Sequence, residues 1–157
     1  KQVMVEANKT LSRTIDKRIF ITAIYGIIDT RTNSFTFCRA GHCPVCYVNE
    51  LSGKSDVLEP KGLGLGLTQD VIFEKSLEEM SVKMKKGDRF LLYTDGVIES
   101  RNVDNDEFGE KRLLDSFVTM KALSAREIKE KLLLEISTFS GHKKLHDDYS
   151  FVIIKTL

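Results

Sequence analysis

No stretch of this sequence stays apolar for long, neither sign of charge prevails, and cysteine is scarce. Each lack removes a class of function. The longest apolar stretches, such as "FLLY" (90–93) and "FVII" (151–154), fall far short of the roughly 20 residues of a membrane span. No charged-then-apolar leader opens the chain, so nothing argues for export or for membrane contact by this segment. Lys+Arg 24 against Asp+Glu 23 gives a formal net charge of +1, which makes no broad electrostatic case for nucleic acid as a partner. Three cysteines are an odd count and point to a reducing cytoplasm rather than a disulfide scaffold. Repeats, linkers and low-complexity segments are also missing.

What remains is ordinary globular composition, 41% hydrophobic and 30% charged over 157 residues, enough for one domain. "KQVMVEANKTLSRTI" starts in mid-pattern, with Val3, Ala7, Leu11 and Ile15 on one helical face. It has neither cap nor initiator methionine, so the chain reads as a piece of a longer protein. "RIFITAIYGIID" (18–29) predicts a long, largely buried strand, and "FTFCRA" (35–40) its hairpin partner across the turn "DTRTNS". "VCYVNE" (45–50) predicts a third strand, 72–88 two short strands around a turn, and "RFLLYTDGV" (89–97) a buried strand running into an Asp-Gly turn. Leu113, Leu114, Phe117 and Met120 mark one helix. A second opens on a capping box, Ser124 with Glu127, and buries Ile128, Leu132, Ile136 and Phe139. "YSFVIIKTL" closes as a strand. Helices set apart from a hairpin-rich sheet make the class α+β.

Three stretches invite a chemical reading. "GLGLGL" (62–67) has the spacing of neither a P-loop nor a dinucleotide loop. It predicts a tight loop whose glycines allow positive φ while Leu63, Leu65 and Leu67 pack inward. "AGHCPVCYV" (40–48) holds a C-x-x-C pair beside His42, but zinc needs four ligands and a redox dithiol needs a following helix. Cys43 and Cys46 therefore read as small hydrophobic residues. The carboxylates look better placed: Asp95 ends an apolar strand, and Asp147 and Asp148 precede another. Such groups repel unless a cation is shared, and hard cations such as Mg²⁺ and Mn²⁺ take oxygen ligands. From residue types alone, turn residues and metal ligands both remain open.

The ordered strings "FITAIYGIID", "AGHCP", "GLGLGL", "GDRFLLYTDG", "EFGEKRLL" and "HDDYSFVII" resemble the SpoIIE/RsbU-like branch of the metal-dependent (PPM, type-2C-like) serine/threonine phosphatases. The resemblance implies a four-layer α/β/β/α sandwich of antiparallel sheets around a two-metal centre of Mn²⁺ or Mg²⁺. It implies metal ligation by Asp95 and Asp147, with Asp148, Gly96 and His42 beside the ligands. No catalytic residue beyond the ligands is implied, and the substrate-binding residues stay unassigned. The reaction implied is hydrolysis of phosphoserine or phosphothreonine by a metal-activated water. Its substrate would be a phosphorylated regulatory protein such as an anti-sigma-factor antagonist, under control of an upstream sensory or receiver domain. Gly64 stands where that family usually has proline. The family's G-D-x-x-G-x-G string, which carries the bridging aspartate, is absent from the 157 residues. The expectation is therefore that 1–157 is the C-terminal part of one phosphatase domain, truncated at its N-terminus and inactive alone. The alternative is a non-catalytic interaction domain on the same fold.

Overall fold

The computed structural model describes residues 1–141 and 148–157. Along the chain run α1 (Gln2–Thr14), β1 (Ala23–Asp29), β2 (Ser34–Ala40), β3 (Val45–Val48), β4 (Ser55–Leu58), α2 (Asp70–Ser76), β5 (Glu79–Lys83), β6 (Arg89–Tyr93), α3 (Asp95–Ile98), α4 (Glu110–Thr119), α5 (Ala125–Phe139) and β7 (Phe151–Lys155). The strands make two antiparallel sheets, ordered β1-β2-β5 and β4-β3-β6-β7. The α+β class read from the sequence is the class observed. The chain divides into two compact units, Lys1–Pro44 with Glu59–Met84, and Val45–Leu58 with Lys85–Leu157.

In the first unit the expected hairpin forms, from Ala23 opposite Ala40 to Asp29 opposite Ser34. Its core gathers Met4, Val5, Cys38, Ala40, Leu65, Phe73 and Leu77. The predicted face of α1 is met in part: Ala7 and Leu11 pack against this core, beside the buried Met4, Val5 and Asn8, while Val3 is half exposed. The expectation of a buried β1 fails: Ile27 is 56% exposed. Among the described residues it pairs only with β2, so an outer strand keeps apolar side chains against water. Residues 72–88 also depart from the predicted strand pair. The helix α2 comes first, because Phe73 and Leu77, four apart, both turn into the core; only then does β5 follow.

In the second unit, β6 is buried along most of its length and pairs with both β3 and β7. β4, whose "SDVL" is too polar and short to signal a strand, pairs with β3. Helix α5 begins with the predicted capping box, Ser124 with Glu127, and buries Ile128, Leu132 and Ile136; Phe139 is half-buried. Arg89, only 1% exposed, donates from Nη1 to the Phe117 carbonyl at 2.9 Å, in the last turn of α4. Its guanidinium lies 5.3 Å from the Phe117 ring centre. Burial pushes the Arg89 pKa down, and the nearby Glu50 carboxylate opposes that.

Candidate functional site

The site is built where β6 ends and β7 begins. Tyr93 lies opposite Phe151 in the ladder, and the pairing runs one step further: the Thr94 N–H donates to the Ser150 carbonyl at 3.0 Å. Antiparallel pairing thus brings the residue after β6 and the residues before β7 to the same end of the sheet, although over fifty residues separate them in sequence. Asp95 and Asp148 are both exposed there.

Asp95 does not sit in the predicted Asp-Gly turn. It is the first residue of the short helix α3, after Thr94 in an extended N-cap conformation. Helical geometry wins because Val97 N–H reaches the Thr94 carbonyl at 3.0 Å and Glu99 N–H the Asp95 carbonyl at 2.9 Å. The Gly96 N–H donates to Asp95 Oδ1 at 3.0 Å. Gly96 itself is buried, and a Cβ there would stand 2.7 Å from the Asp148 carbonyl oxygen. Only glycine lets the two segments come this close. Asp147 lies outside the described residues.

Tyr93 and Glu110 were missed from the sequence. The Tyr93 hydroxyl donates to Glu110 Oε1 at 2.7 Å, which pins the start of α4 to the end of β6. Asp88, also missed, is fully buried. Its carboxylate accepts from Tyr47 Oη at 2.9 Å, Asn49 Nδ2 at 3.2 Å, Glu50 N at 3.1 Å and Lys85 N at 2.9 Å. A Gly-Asp pair just before a buried strand was the available signal. Burial is the main force pushing the Tyr47 hydroxyl up.

In the first unit, "AGH-x-P" and "GLGLGL" lie backbone against backbone. Gly41 N–H donates to the Gly62 carbonyl at 2.9 Å, and Gly41 has φ +63. A Cβ on Gly41 would lie 3.0 Å from Gly64 N, and one on Gly62 would collide with the Arg39 carbonyl. Leu65 is buried and exchanges two backbone bonds with Ile21, at 2.8 and 2.9 Å. Leu67 is half exposed instead of packed inward, because the chain turns at Gly66, φ +83. Helix α2 also begins sooner after this loop than the sequence suggested. His42 is half-buried, its Nδ1 3.1 Å from Thr22 Oγ1. Arg39 fixes the turn, donating to the carbonyls of His42 at 2.5 Å and Pro60 at 3.1 Å. Cys46 is buried within β3 and Cys43 is half-buried in the turn.

Among the described residues no three His, Cys, Asp or Glu side chains form a metal-binding group. The donor chemistry at the sheet end still suits a hard divalent cation, which takes oxygen ligands: Asp95 and Asp148 are exposed carboxylates on the segments that leave β6 and enter β7.

A family model described as Stage II sporulation protein E (SpoIIE) matches residues 1–157. The chain belongs to the SpoIIE family. Among its relatives, phosphoserine phosphatase RsbU from Bacillus subtilis (strain 168) is 29% identical over 158 residues, covering 98% of this chain and 44% of RsbU. Among solved structures, the SiaA-PP2C domain of Pseudomonas aeruginosa superposes with a TM-score of 0.81 at 16% identity, covering 98% of this chain and 59% of that one. The phosphatase domain of SpoIIE from Bacillus subtilis, Mn presoaked, gives 0.65 at 17% identity, covering 99% and 74%. These likenesses establish for this SpoIIE-family chain the fold of PP2C domains. It spans less than half the length of RsbU.

Proposed function

We propose that this chain is the C-terminal part of a metal-dependent phosphatase domain that removes phosphate from serine or threonine of a regulatory protein. The observation that carries the reading is the pair of exposed carboxylates, Asp95 and Asp148, brought to one end of the β6–β7 ladder in a chain 29% identical to a phosphoserine phosphatase. Asp95 and Asp147 would hold Mn²⁺ or Mg²⁺, with Asp148 and Gly96 in supporting positions. Ions so held supply an activated water and neutralise charge on the phosphoryl oxygens.

The chain's own part is to fix charge in place. Asp95 is anchored by the buried β6 and by its bond to the Gly96 N–H, so its carboxylate is oriented before a ligand arrives. Gly96 lets the backbone at Asp148 approach closely, which would bring carboxylates of both segments toward one centre. The bridging aspartate is not within the 157 residues, so full activity is proposed for the longer protein. Its upstream part would also carry the controlling domain, and the proposed setting is the cytoplasm. No helix among the described residues is long and apolar enough to cross a membrane.

The test is hydrolysis of a phosphoserine protein by the full-length enzyme. Activity is expected only with added Mn²⁺ or Mg²⁺ and is abolished by EDTA. Activity undiminished by EDTA overturns the mechanism. Absence of hydrolysis with either metal, alongside tight binding of the phosphoprotein, would make the domain an interaction module.

A further inference from the structure

Thr94 occupies the N-cap of α3, yet its hydroxyl does not cap that helix. A threonine at an N-cap usually accepts a bond from the second or third helical N–H. Here Thr94 Oγ1 instead accepts from the Ser150 N–H at 2.9 Å and lies 3.4 Å from the Ser150 carbonyl, while the Thr94 N–H donates to that same carbonyl at 3.0 Å. Two residues on, Gly96 lies against the Asp148 carbonyl. Asp95 is therefore flanked on both sides by contacts to the segment 148–150. One is made of hydrogen bonds and the other of close backbone approach.

We propose that Thr94 is a positioning residue, whose hydroxyl locks the register between the segment bearing Asp95 and the segment that leads into β7. The proposal rests on the reading of Asp95 as a metal ligand given above. Threonine suits the task because its branched Cβ restricts χ1, holding the hydroxyl toward the neighbouring strand. Without the hydroxyl, the Ser150 N–H bonds to water, since Ser150 is exposed. The fold then survives, but the spacing of the two segments is less fixed. Loss of a partner that orients metal ligands typically weakens metal affinity by about 10- to 100-fold.

The experiment uses the full-length protein and the variants Thr94→Val, Thr94→Ser and Asp95→Asn. Three quantities are measured: amide exchange at Ser150 without metal, the Kd for Mn²⁺ alone by electron paramagnetic resonance, and the melting temperature. Thr94→Val should exchange faster at Ser150 and bind Mn²⁺ about tenfold more weakly, with a melting temperature within a few degrees of the parent. Thr94→Ser should restore both exchange and affinity, which a purely space-filling role would not require. Wild-type Mn²⁺ affinity in Thr94→Val, with affinity lost in Asp95→Asn, overturns the positioning role alone. Wild-type affinity in both variants overturns the ligand role of Asp95 and takes this proposal with it. Unchanged Ser150 exchange in Thr94→Val removes the lock itself, whatever the metal does.

Discussion

Strand β6 carries an aspartate just beyond each end, and the two live differently. Asp88 is fully buried and accepts from two side chains and two backbone N–H groups. Asp95 is exposed, and its Oδ1 accepts from the N–H of the residue beside it. One carboxylate has its hydrogen-bonding capacity used up inside the protein, joining the β3–β4 turn to the start of β6. The other keeps oxygen facing outward at the sheet end shared with Asp148. The same residue type is a structural joint in one place and a candidate ligand in the other. What separates them is how much of each carboxylate the fold has already occupied.

Substitution can test that division. The largest effect is expected from Asp95→Asn in the full-length protein: turnover of a phosphoserine substrate should fall by about a hundredfold or more, because charge placed for the transition state is lost. Its unfolding in urea should match the parent. Near-normal turnover would remove Asp95 from the site. Asp88→Asn should show the reverse pattern. Its amide would set a donor against donors, so stability should drop by about 3 kcal/mol, read as a lower urea midpoint. The protein that remains folded should turn over normally. If Asp88→Asn is as stable as the parent, the contrast between the two ends of β6 fails.

A smaller effect concerns a third carboxylate. Ser124 holds the Glu127 pKa below its ordinary value of 4.5 through hydrogen bonds to its side chain and backbone N–H. A lowered folded pKa means the capping box stabilises above that ordinary value and loses its contribution as pH falls through the folded one. The stability of Glu127→Gln should therefore follow the parent's with a constant offset above the ordinary value, the offset narrowing on acidification. An offset that stays constant down to pH 3 would show that Glu127 does not titrate with folding.

Some of this was legible in the sequence and some was not, for physical reasons. The helix α5 announced itself because its cap and apolar spacing are local. Asp95 was visible because a strongly apolar run ending in Thr-Asp-Gly forms a recognisable string. Thr94 was not, since its partner Ser150 lies fifty-six residues away and only strand pairing brings them together. The short "DVIFEKS" of α2 reads as strand from the sequence because it carries few apolar positions, and tertiary burial of Phe73 decides the outcome. The exposure of β1 was hidden for the opposite reason. A run of Ile and Tyr looks buried wherever it stands, and nothing local says that the strand is an outer one.

The glycines of "AGH" and "GLGLGL" have a consequence for anyone altering this protein. At Gly41, Gly62 and Gly64 an added methyl would meet a backbone nitrogen, a carbonyl or the Phe20 ring. These three positions behave as fixed letters, while their neighbour Leu67 faces water and is open to change. A mutant library across residues 40–67 would therefore return an uneven map, empty at the three glycines and crowded at the leucine. That map would display the hidden contact between the two loops without any structure being solved.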